Sequence, residues 1–151
     1  MKGTFRRLLF VSGHIQSKYM RYLGIDYGKA RIGAATADEE TGIAIPRGII
    51  RREDDAQAIA EIRILARKEG IEKIVVGLPL AMDGAETEMS RAARAFAEKL
   101  SVVSAVPVAF ENEMLTTRMA GHAGVAKDLI DASSAAIILQ SYLDKKIEDK
   151  R

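Results

Sequence analysis

The sequence predicts an α/β domain built on one mixed β-sheet with helices on both of its faces. Short apolar runs separated by glycine and polar turns fill residues 22–50, a pattern typical of an antiparallel meander. Beyond residue 53 the apolar positions recur at helical spacing between β-branched runs. The resulting order β-β-β-α-β-α-β-α joins a three-strand meander to right-handed βα units, and such units fold into a single sheet covered by helices.

The meander consists of three extended segments, predicted at residues 22–27, 31–36 and 43–50. Gly28 and the residues after it are typical of a turn between the first two. Pro46 cannot donate a hydrogen bond to a neighbouring strand, so we expect the third segment to lie at an edge of the sheet.

The rest of the chain predicts alternating helices and strands. Helical spacing predicts a first helix over residues 53–69 and a second whose apolar face runs from Met89 to Leu100. Each helix leads into a β-branched run, at residues 71–77 and 106–110, and these runs are the expected parallel strands. The remaining elements are a loop at 78–84, a possible short helix at 117–123 and a last helix from about 131 to 148.

Composition excludes several classes of protein. Of 151 residues, 48% are hydrophobic, which is enough for a sizeable core. The chain has no cysteine, so disulfide frameworks, thiolate metal sites and a cysteine nucleophile are excluded. With no Trp, four Phe and four Tyr, a broad platform for stacking bases is not expected. The apolar runs are too short to span a bilayer, and we expect a cytoplasmic protein without a membrane partner.

The net charge of +2 comes from the N-terminal residues. Residues 1–19 hold four cations and no acid, which leaves 19 cations against 21 acids in the remainder. Overall basicity is therefore no argument for nucleic-acid binding by the globular part. The apolar run after Arg6 and Arg7 is too short for a secretory signal. We expect residues 1–19 to be an extension outside the fold, and residues 20–151 to form the domain.

Three acids mark a candidate site, because ligands of such sheets collect at the carboxyl ends of the parallel strands. Asp26 lies in the first strand, Glu113 follows the last strand, and Asp131 begins the last helix. Each has an ordinary explanation: Asp26 as a residue capping the bend at Gly28, Glu113 as a solvated loop acid, and Asp131 as a helix N-cap.

Brought together, these three acids would have a different role. Two bare carboxylates about 4 Å apart repel by roughly 4 kcal/mol at an effective dielectric constant near 20. A cluster of them would therefore either raise its own pKa values or recruit a divalent cation. Ligation by oxygen alone favours Mg²⁺ or Mn²⁺, and such ions usually act on phosphate oxygens.

Other polar residues near the predicted site are less specific. Lys29 and Arg31 are placed to contact phosphate, or they are solvated cations of an ordinary hairpin. Thr116 and Thr117 suit helix caps as well as substrate ligands. Residues 77–84 form either a rim of the site or a loop that enters the second helix.

The sequence resembles the YqgF (RuvX)-type family of bacterial RNase H-like proteins, described as pre-16S rRNA nucleases and Holliday junction resolvases. The similarity covers about residues 20–151. It is carried by residues 24–28, 31–33, 74–79, 83–84, 113–117 and 131–143. Asn112 and Met114 depart from the pattern, since family members often have Asp and Arg at these positions.

The resemblance implies a five-stranded mixed sheet of the RNase H type, with Asp26, Glu113 and Asp131 as its acidic site. We therefore expect Mg²⁺- or Mn²⁺-dependent hydrolysis of phosphodiester bonds, in 5′-end maturation of precursor 16S rRNA. The expected partners are precursor rRNA, ribosomal particles and branched DNA.

Two alternatives stay open. One is a DNA endonuclease that resembles Holliday junction resolvases. The other is a non-catalytic module that binds nucleotide or nucleic acid, because the turn after Asp26 also resembles the phosphate-binding turn of actin-like ATPases.

Overall fold

The computed structural model describes residues 10–11, 14–15, 18–114 and 127–149, with the side chains of residues 18–113 and 132–149. The strands are β1 (Phe10–Val11), β2 (His14–Ile15), β3 (Arg21–Tyr27), β4 (Arg31–Asp38), β5 (Ile45–Arg51), β6 (Lys73–Leu80) and β7 (Val108–Met114). The helices are α1 (Asp55–Glu69), α2 (Glu88–Ser104) and α3 (Lys127–Asp149).

Five of the strands form one mixed sheet in the order β5-β4-β3-β6-β7, and β1 and β2 pair in a separate two-stranded sheet. The pairs β3–β4 and β4–β5 are antiparallel, whereas β6 runs parallel to β3 and β7 runs parallel to β6. The predicted five-stranded sheet is confirmed. Pro46 lies in the edge strand β5, as expected from its missing donor.

Alternating side chains along the strands divide the core into two layers. On one face, Leu23 and Ile25 of β3 pack in a cluster with Phe96 of α2 and residues of α1. On the other face, Tyr22 packs with Leu139 and further residues of α3. Helices on both faces are therefore confirmed. Among the described residues, α1 and α2 cover one face and α3 covers the other.

Local sequence signals set the ends of the first two helices. The side chain of Asp54 caps α1 by accepting a hydrogen bond from the backbone N–H of Gln57 at 2.8 Å. Gly70 ends α1 in the left-handed conformation, with φ of 64°. Thr87 and Ser90 form a reciprocal capping box at the start of α2. In the described part of the chain, no helix is long and apolar enough to cross a membrane.

Three predicted boundaries were wrong. β6 continues to Leu80, so the first part of the expected loop at 78–84 is strand, because Leu78 and Leu80 are buried under α2. β7 continues to Met114 instead of ending at residue 110. α3 begins at Lys127, four residues before Asp131, so Asp131 lies inside the helix and is not its N-cap. The short helix expected at 117–123 lies outside the described residues.

Two glycines let α3 lie close against the sheet. A Cβ atom on Gly24 would lie 2.7 Å from Leu139 Cβ and 2.9 Å from the carbonyl oxygen of Ala135. A Cβ atom on Gly77 would lie 2.5 Å from Ile138 Cδ1. Both distances are shorter than a Cβ atom tolerates. At Gly24 the neighbours include a backbone carbonyl oxygen, so helix α3 itself would have to move, whereas at Gly77 the end of the Ile138 side chain would have to move.

Candidate active site

Asp26 is a buried acid near the carboxyl end of the central strand β3. Its side chain is on the α3 face, which it shares with Tyr22 and Gly24. It pairs in register with Gly33 of β4, and only 4% of its surface is exposed. A residue capping the bend at Gly28 can be buried, so both explanations of Asp26 stay open. Burying an ionisable group this completely lowers the stability of the fold unless the group is paired or binds a ligand.

Glu113 is a second buried acid and lies within β7, not in a loop. It is opposite Pro79 of β6 in register and is 7% exposed, which excludes the solvated loop acid. Its Oε2 atom lies 3.4 Å from the position that a Cβ atom on Gly77 would occupy. Since β6 lies between β7 and β3, the Glu113 carboxylate extends over β6 toward the strand that carries Asp26.

Gly77 lies between the two acids. Ile25 pairs with Val76, so the next residue of each strand, Asp26 and Gly77, lies at the same level. Strands are about 4.8 Å apart, and any side chain on Gly77 would enter the space between the Asp26 strand and the Glu113 carboxylate. Ile138 Cδ1 and Glu113 Oε2 both lie beside the position that a side chain on Gly77 would occupy. Carboxylate oxygens such as those of Asp26 and Glu113 are the ligands that hard divalent cations prefer. The donors present therefore fit Mg²⁺ or Mn²⁺.

Asp131 lies in α3, four residues before Ala135, whose carbonyl oxygen would lie 2.9 Å from a Cβ atom on Gly24. Helix α3 runs antiparallel to β3. Ala135, near the start of the helix, lies beside Gly24, whereas Lys146, near its end, has its Nζ atom 3.1 Å from the hydroxyl of Tyr22, which precedes Gly24 in the strand. Asp131 precedes Ala135 by about one turn, or roughly 6 Å, which matches the roughly 6.6 Å from Gly24 to Asp26 along the strand.

Other predicted site residues fall outside what the structure describes. The side chain of Asp131 is not described, and Thr116 and Thr117 lie outside the described residues. Within the described residues, no group of three His, Asp or Glu is placed to hold a metal ion. The structure thus brings Asp26 and Glu113 to one face and leaves the third ligand to be tested.

Glu111 is a buried acid that the sequence analysis missed. It is 4% exposed and accepts hydrogen bonds from Ser141 Oγ at 2.7 Å and Lys145 Nζ at 2.6 Å. These contacts join β7 to α3 beside Glu113. The available signal was the alternation after residue 107, where Val108 and Phe110 share one face and the two glutamates share the other.

The turn between β3 and β4 carries the two predicted phosphate ligands. Lys29 is exposed, with its Nζ atom 4.0 Å from Glu88 Oε1, and Arg31 is partly buried at the start of β4. Arg52 holds the turn from the α1 side. Its Nη1 atom donates to the carbonyl oxygen of Lys29 at 2.7 Å, and its Nε atom donates to Asp55 Oδ1 at 2.8 Å.

Asp55, at the start of α1, fixes the Arg52 side chain that holds this turn. It also accepts hydrogen bonds from the hydroxyl of Tyr27 at 2.8 Å and from Lys99 Nζ at 3.1 Å. Burial alone would raise the pKa of Asp55, but the hydrogen bonds from Tyr27, Arg52 and Lys99 together outweigh it and lower the pKa below its usual value.

We expect Asp55→Asn to lower the free energy of unfolding by about 1.5–3 kcal/mol at neutral pH, the range for hydrogen bonds to a charged group. Because folding lowers the pKa, this stabilisation is complete above the unfolded pKa near 3.9 and is lost as the pH falls through the folded value. Urea denaturation of both proteins between pH 7 and pH 3 measures the difference. Glu61→Gln, an exposed change on α1, is the control. A difference that stays constant down to pH 3 would contradict this assignment.

Comparison with known proteins identifies the family. The sequence model of RuvX, described as Holliday junction resolvase, matches residues 20–145. A protein of Anaeromyxobacter sp. (strain Fw109-5) is 42% identical over 133 residues, which are 83% of this chain and 97% of the relative. A protein of Anaplasma marginale (strain St. Maries) is 37% identical over 132 residues, 82% of this chain and 84% of the relative. Both carry the name "Putative pre-16S rRNA nuclease".

A solved structure supports the fold. Thermus thermophilus RuvC in complex with a Holliday junction substrate superimposes with a TM-score of 0.55 over 85% of this chain and 96% of that chain. The two are 14% identical, so this likeness concerns the fold alone, an RNase H-like sheet with its helices. Since the family model covers residues 20–145 and the relatives span most of the chain, the chain belongs to the RuvX (YqgF) family.

Proposed function

We propose that this chain is a metal-dependent nuclease that hydrolyses phosphodiester bonds in the 5′-end maturation of precursor 16S rRNA. The observation that carries the proposal is the pair of buried carboxylates, Asp26 and Glu113, on one face of the sheet with a glycine between them. Family membership and the names of the relatives support the nuclease class and the RNA substrate. In this proposal residues 20–151 carry the activity, in the cytoplasm and on ribosomal particles, and residues 1–19 lie outside the domain.

The proposed chemistry assigns one task to each group. Asp26, Glu113 and Asp131 supply the carboxylate oxygens that hold Mg²⁺ or Mn²⁺. When bound, the ion lowers the pKa of the attacking water and neutralises charge on the phosphate. The sheet keeps Asp26 and Glu113 buried, so their orientation is fixed before substrate arrives and little reorganisation is needed during reaction.

The remaining predicted residues bind the substrate in this proposal. Lys29 and Arg31 follow the acid-bearing strand directly, and their charges place the phosphate over the carboxylates. Thr116 and Thr117 are proposed as further substrate contacts, on the strength of their position in the family motif after Glu113.

Branched DNA is a second candidate substrate. The description of the family model names Holliday junction resolvase, and the RuvC-like fold favours the same chemistry on a DNA junction. The proposed catalytic groups would be the same for both substrates, so the RNA and DNA proposals differ only in what the site cleaves.

A side-by-side cleavage assay tests the proposal. We expect the purified protein to shorten a 5′-extended precursor of 16S rRNA in Mg²⁺ or Mn²⁺, to lose this activity in EDTA, and to cleave a four-way DNA junction more slowly. Glu113→Gln, purified identically, controls for contaminating nucleases, and Glu98→Gln on the exposed face of α2 controls for the substitution. Cleavage that persists in EDTA or in Glu113→Gln would reject the proposal, whereas faster cleavage of the junction would favour DNA.

A further inference from the structure

Two arginines face each other at the edge of the sheet beside Asp26. Arg31 at the start of β4 pairs in register with Arg51 at the end of β5. Their neighbours Ile32 and Ile50 also pair, and these pack in the core beneath α1 and α2. Because side chains alternate along a strand, the register places Arg31 on the opposite face, which is the face that carries Asp26. Arg51 is at the edge of the sheet beside Arg31, where it also lines a pocket against α1.

The arginine pair borders the candidate active site on one side. Gly33, two residues after Arg31, is the register partner of Asp26, so Arg31 lies about 7 Å further along the strand. In the order β5-β4-β3-β6-β7, the arginines come from β5 and β4, Asp26 from β3, and Glu113 from β7. Asp26 therefore lies between a positive edge and the second acid. A polyanionic strand that crosses this end of the sheet meets the arginines and the acids in sequence.

A directly opposed pair of like charges opposes folding. Such cross-strand pairs are destabilising, and departures of this kind from local stability are expected at functional sites. Arg31 and Arg51 each also have an interaction within the chain. A guanidinium has five N–H donors, so an internal interaction does not exhaust its capacity to bind phosphate, and its planar fork matches phosphate oxygens in a bidentate way.

The backbone at this edge is fixed by a third arginine. The N–H of Arg52 donates to the carbonyl oxygen of Ala30 at 2.8 Å, and its side chain donates to the carbonyl oxygen of Lys29 at 2.7 Å. The end of β5 is thereby joined to the turn that precedes β4. This attachment keeps Arg31 and Arg51 in register before any ligand binds, which reduces the entropy that binding must offset.

We propose that Arg31 and Arg51 together bind one backbone phosphate of the nucleic-acid substrate, next to the phosphodiester held at Asp26 and Glu113. The inference rests on the proposed function for its substrate class, and it adds Arg51 as a substrate contact. The contact is with the phosphate backbone, so it positions the strand and carries no base specificity.

The salt dependence of RNA binding tests the pair. Fluorescence anisotropy of a labelled RNA hairpin is measured in EDTA over a series of potassium chloride concentrations, so that binding is observed without cleavage. For Arg51→Gln we expect weaker binding and a slope of log K against log salt that is smaller by about one, as for the loss of one phosphate contact. Arg31→Gln is expected to give a similar change. Arg67→Gln, an exposed arginine in the last turn of α1, is the matched control and is expected to leave the slope unchanged.

Three results would overturn the inference: an unchanged slope in Arg51→Gln, an equal reduction in Arg67→Gln, or no measurable RNA binding by the unaltered protein. Circular dichroism of each variant verifies the fold. The cleavage assay separates this inference from the proposed function. Metal-dependent cleavage with an unchanged slope rejects the arginine pair and keeps the nuclease. A reduced slope without cleavage keeps the phosphate contact and rejects the nuclease.

Discussion

Asp26→Asn is expected to reduce metal-dependent cleavage by about 10³-fold or more, equivalent to roughly 4 kcal/mol of transition-state stabilisation. The amide has nearly the shape of the carboxylate but lacks the charge and one of the two acceptor oxygens that a hard cation requires. Asp26 is 4% exposed on the central strand, so no other acid can move into its position without rebuilding the sheet.

Folding of this variant must be measured with its activity. Because Asn fills the same volume, we expect the melting temperature to change by only a few degrees, and the rate per folded molecule to carry the effect. Asp144→Asn on the exposed side of α3 is the matched substitution and is expected to retain full activity. An Asp26→Asn protein that keeps more than a tenth of the cleavage rate would contradict a role in holding the metal.

Gly24→Ala is expected to give the largest loss of stability. The added methyl group would lie 2.9 Å from the carbonyl oxygen of Ala135 and 2.7 Å from Leu139 Cβ, so α3 itself must move away from the sheet. Overpacking a core typically lowers the free energy of unfolding by about 1–3 kcal/mol. Because the neighbour at Gly24 is rigid backbone, we expect a loss at or above the upper end of this range. Thermal unfolding measured by circular dichroism gives the change.

Gly77→Ala is the matched comparison, because its closest neighbour is the flexible end of a side chain. The Ile138 Cδ1 atom can rotate or be removed, so we expect a smaller loss of stability than for Gly24→Ala. Adding Ile138→Val to Gly77→Ala should restore part of that loss. We expect cleavage by this double variant to be lower than by the unaltered protein, since the new methyl group would lie 3.4 Å from Oε2 of the proposed metal ligand Glu113. Equal destabilisation by the two glycine variants would contradict the close approach of α3 at Gly24.

The sheet and its helices could be predicted from the sequence because the apolar positions have a clear period. The meander, the crossover helix and the parallel strands follow from alternation and helical spacing, and Pro46 identifies the edge strand. Asp26 could be located in the same way, since an acid inside an apolar strand stands out from its surroundings.

Two of the three wrong boundaries lie where polar residues continue an element. β7 runs on through Glu111 and Glu113 because their side chains lie on the α3 face, and a single sequence does not reveal that a helix covers them. The start of α3 was missed because Asp131 suits an N-cap, although the helix begins at Lys127. The restriction on side chains at Gly77 could not be predicted either, because it depends on the packing of Ile138 from α3 against this position.

Binding of Mn²⁺ to the purified protein, measured by isothermal titration calorimetry without nucleic acid, tests whether Asp26 and Glu113 form a metal site. If Asp26 and Glu113 lie close enough to share a cation, the unaltered protein binds Mn²⁺ saturably, and Asp26→Asn and Glu113→Gln each abolish that binding while Asp144→Asn does not. Equal Mn²⁺ binding by all four proteins, or no binding by the unaltered protein, would contradict the claim that these buried acids form a metal site.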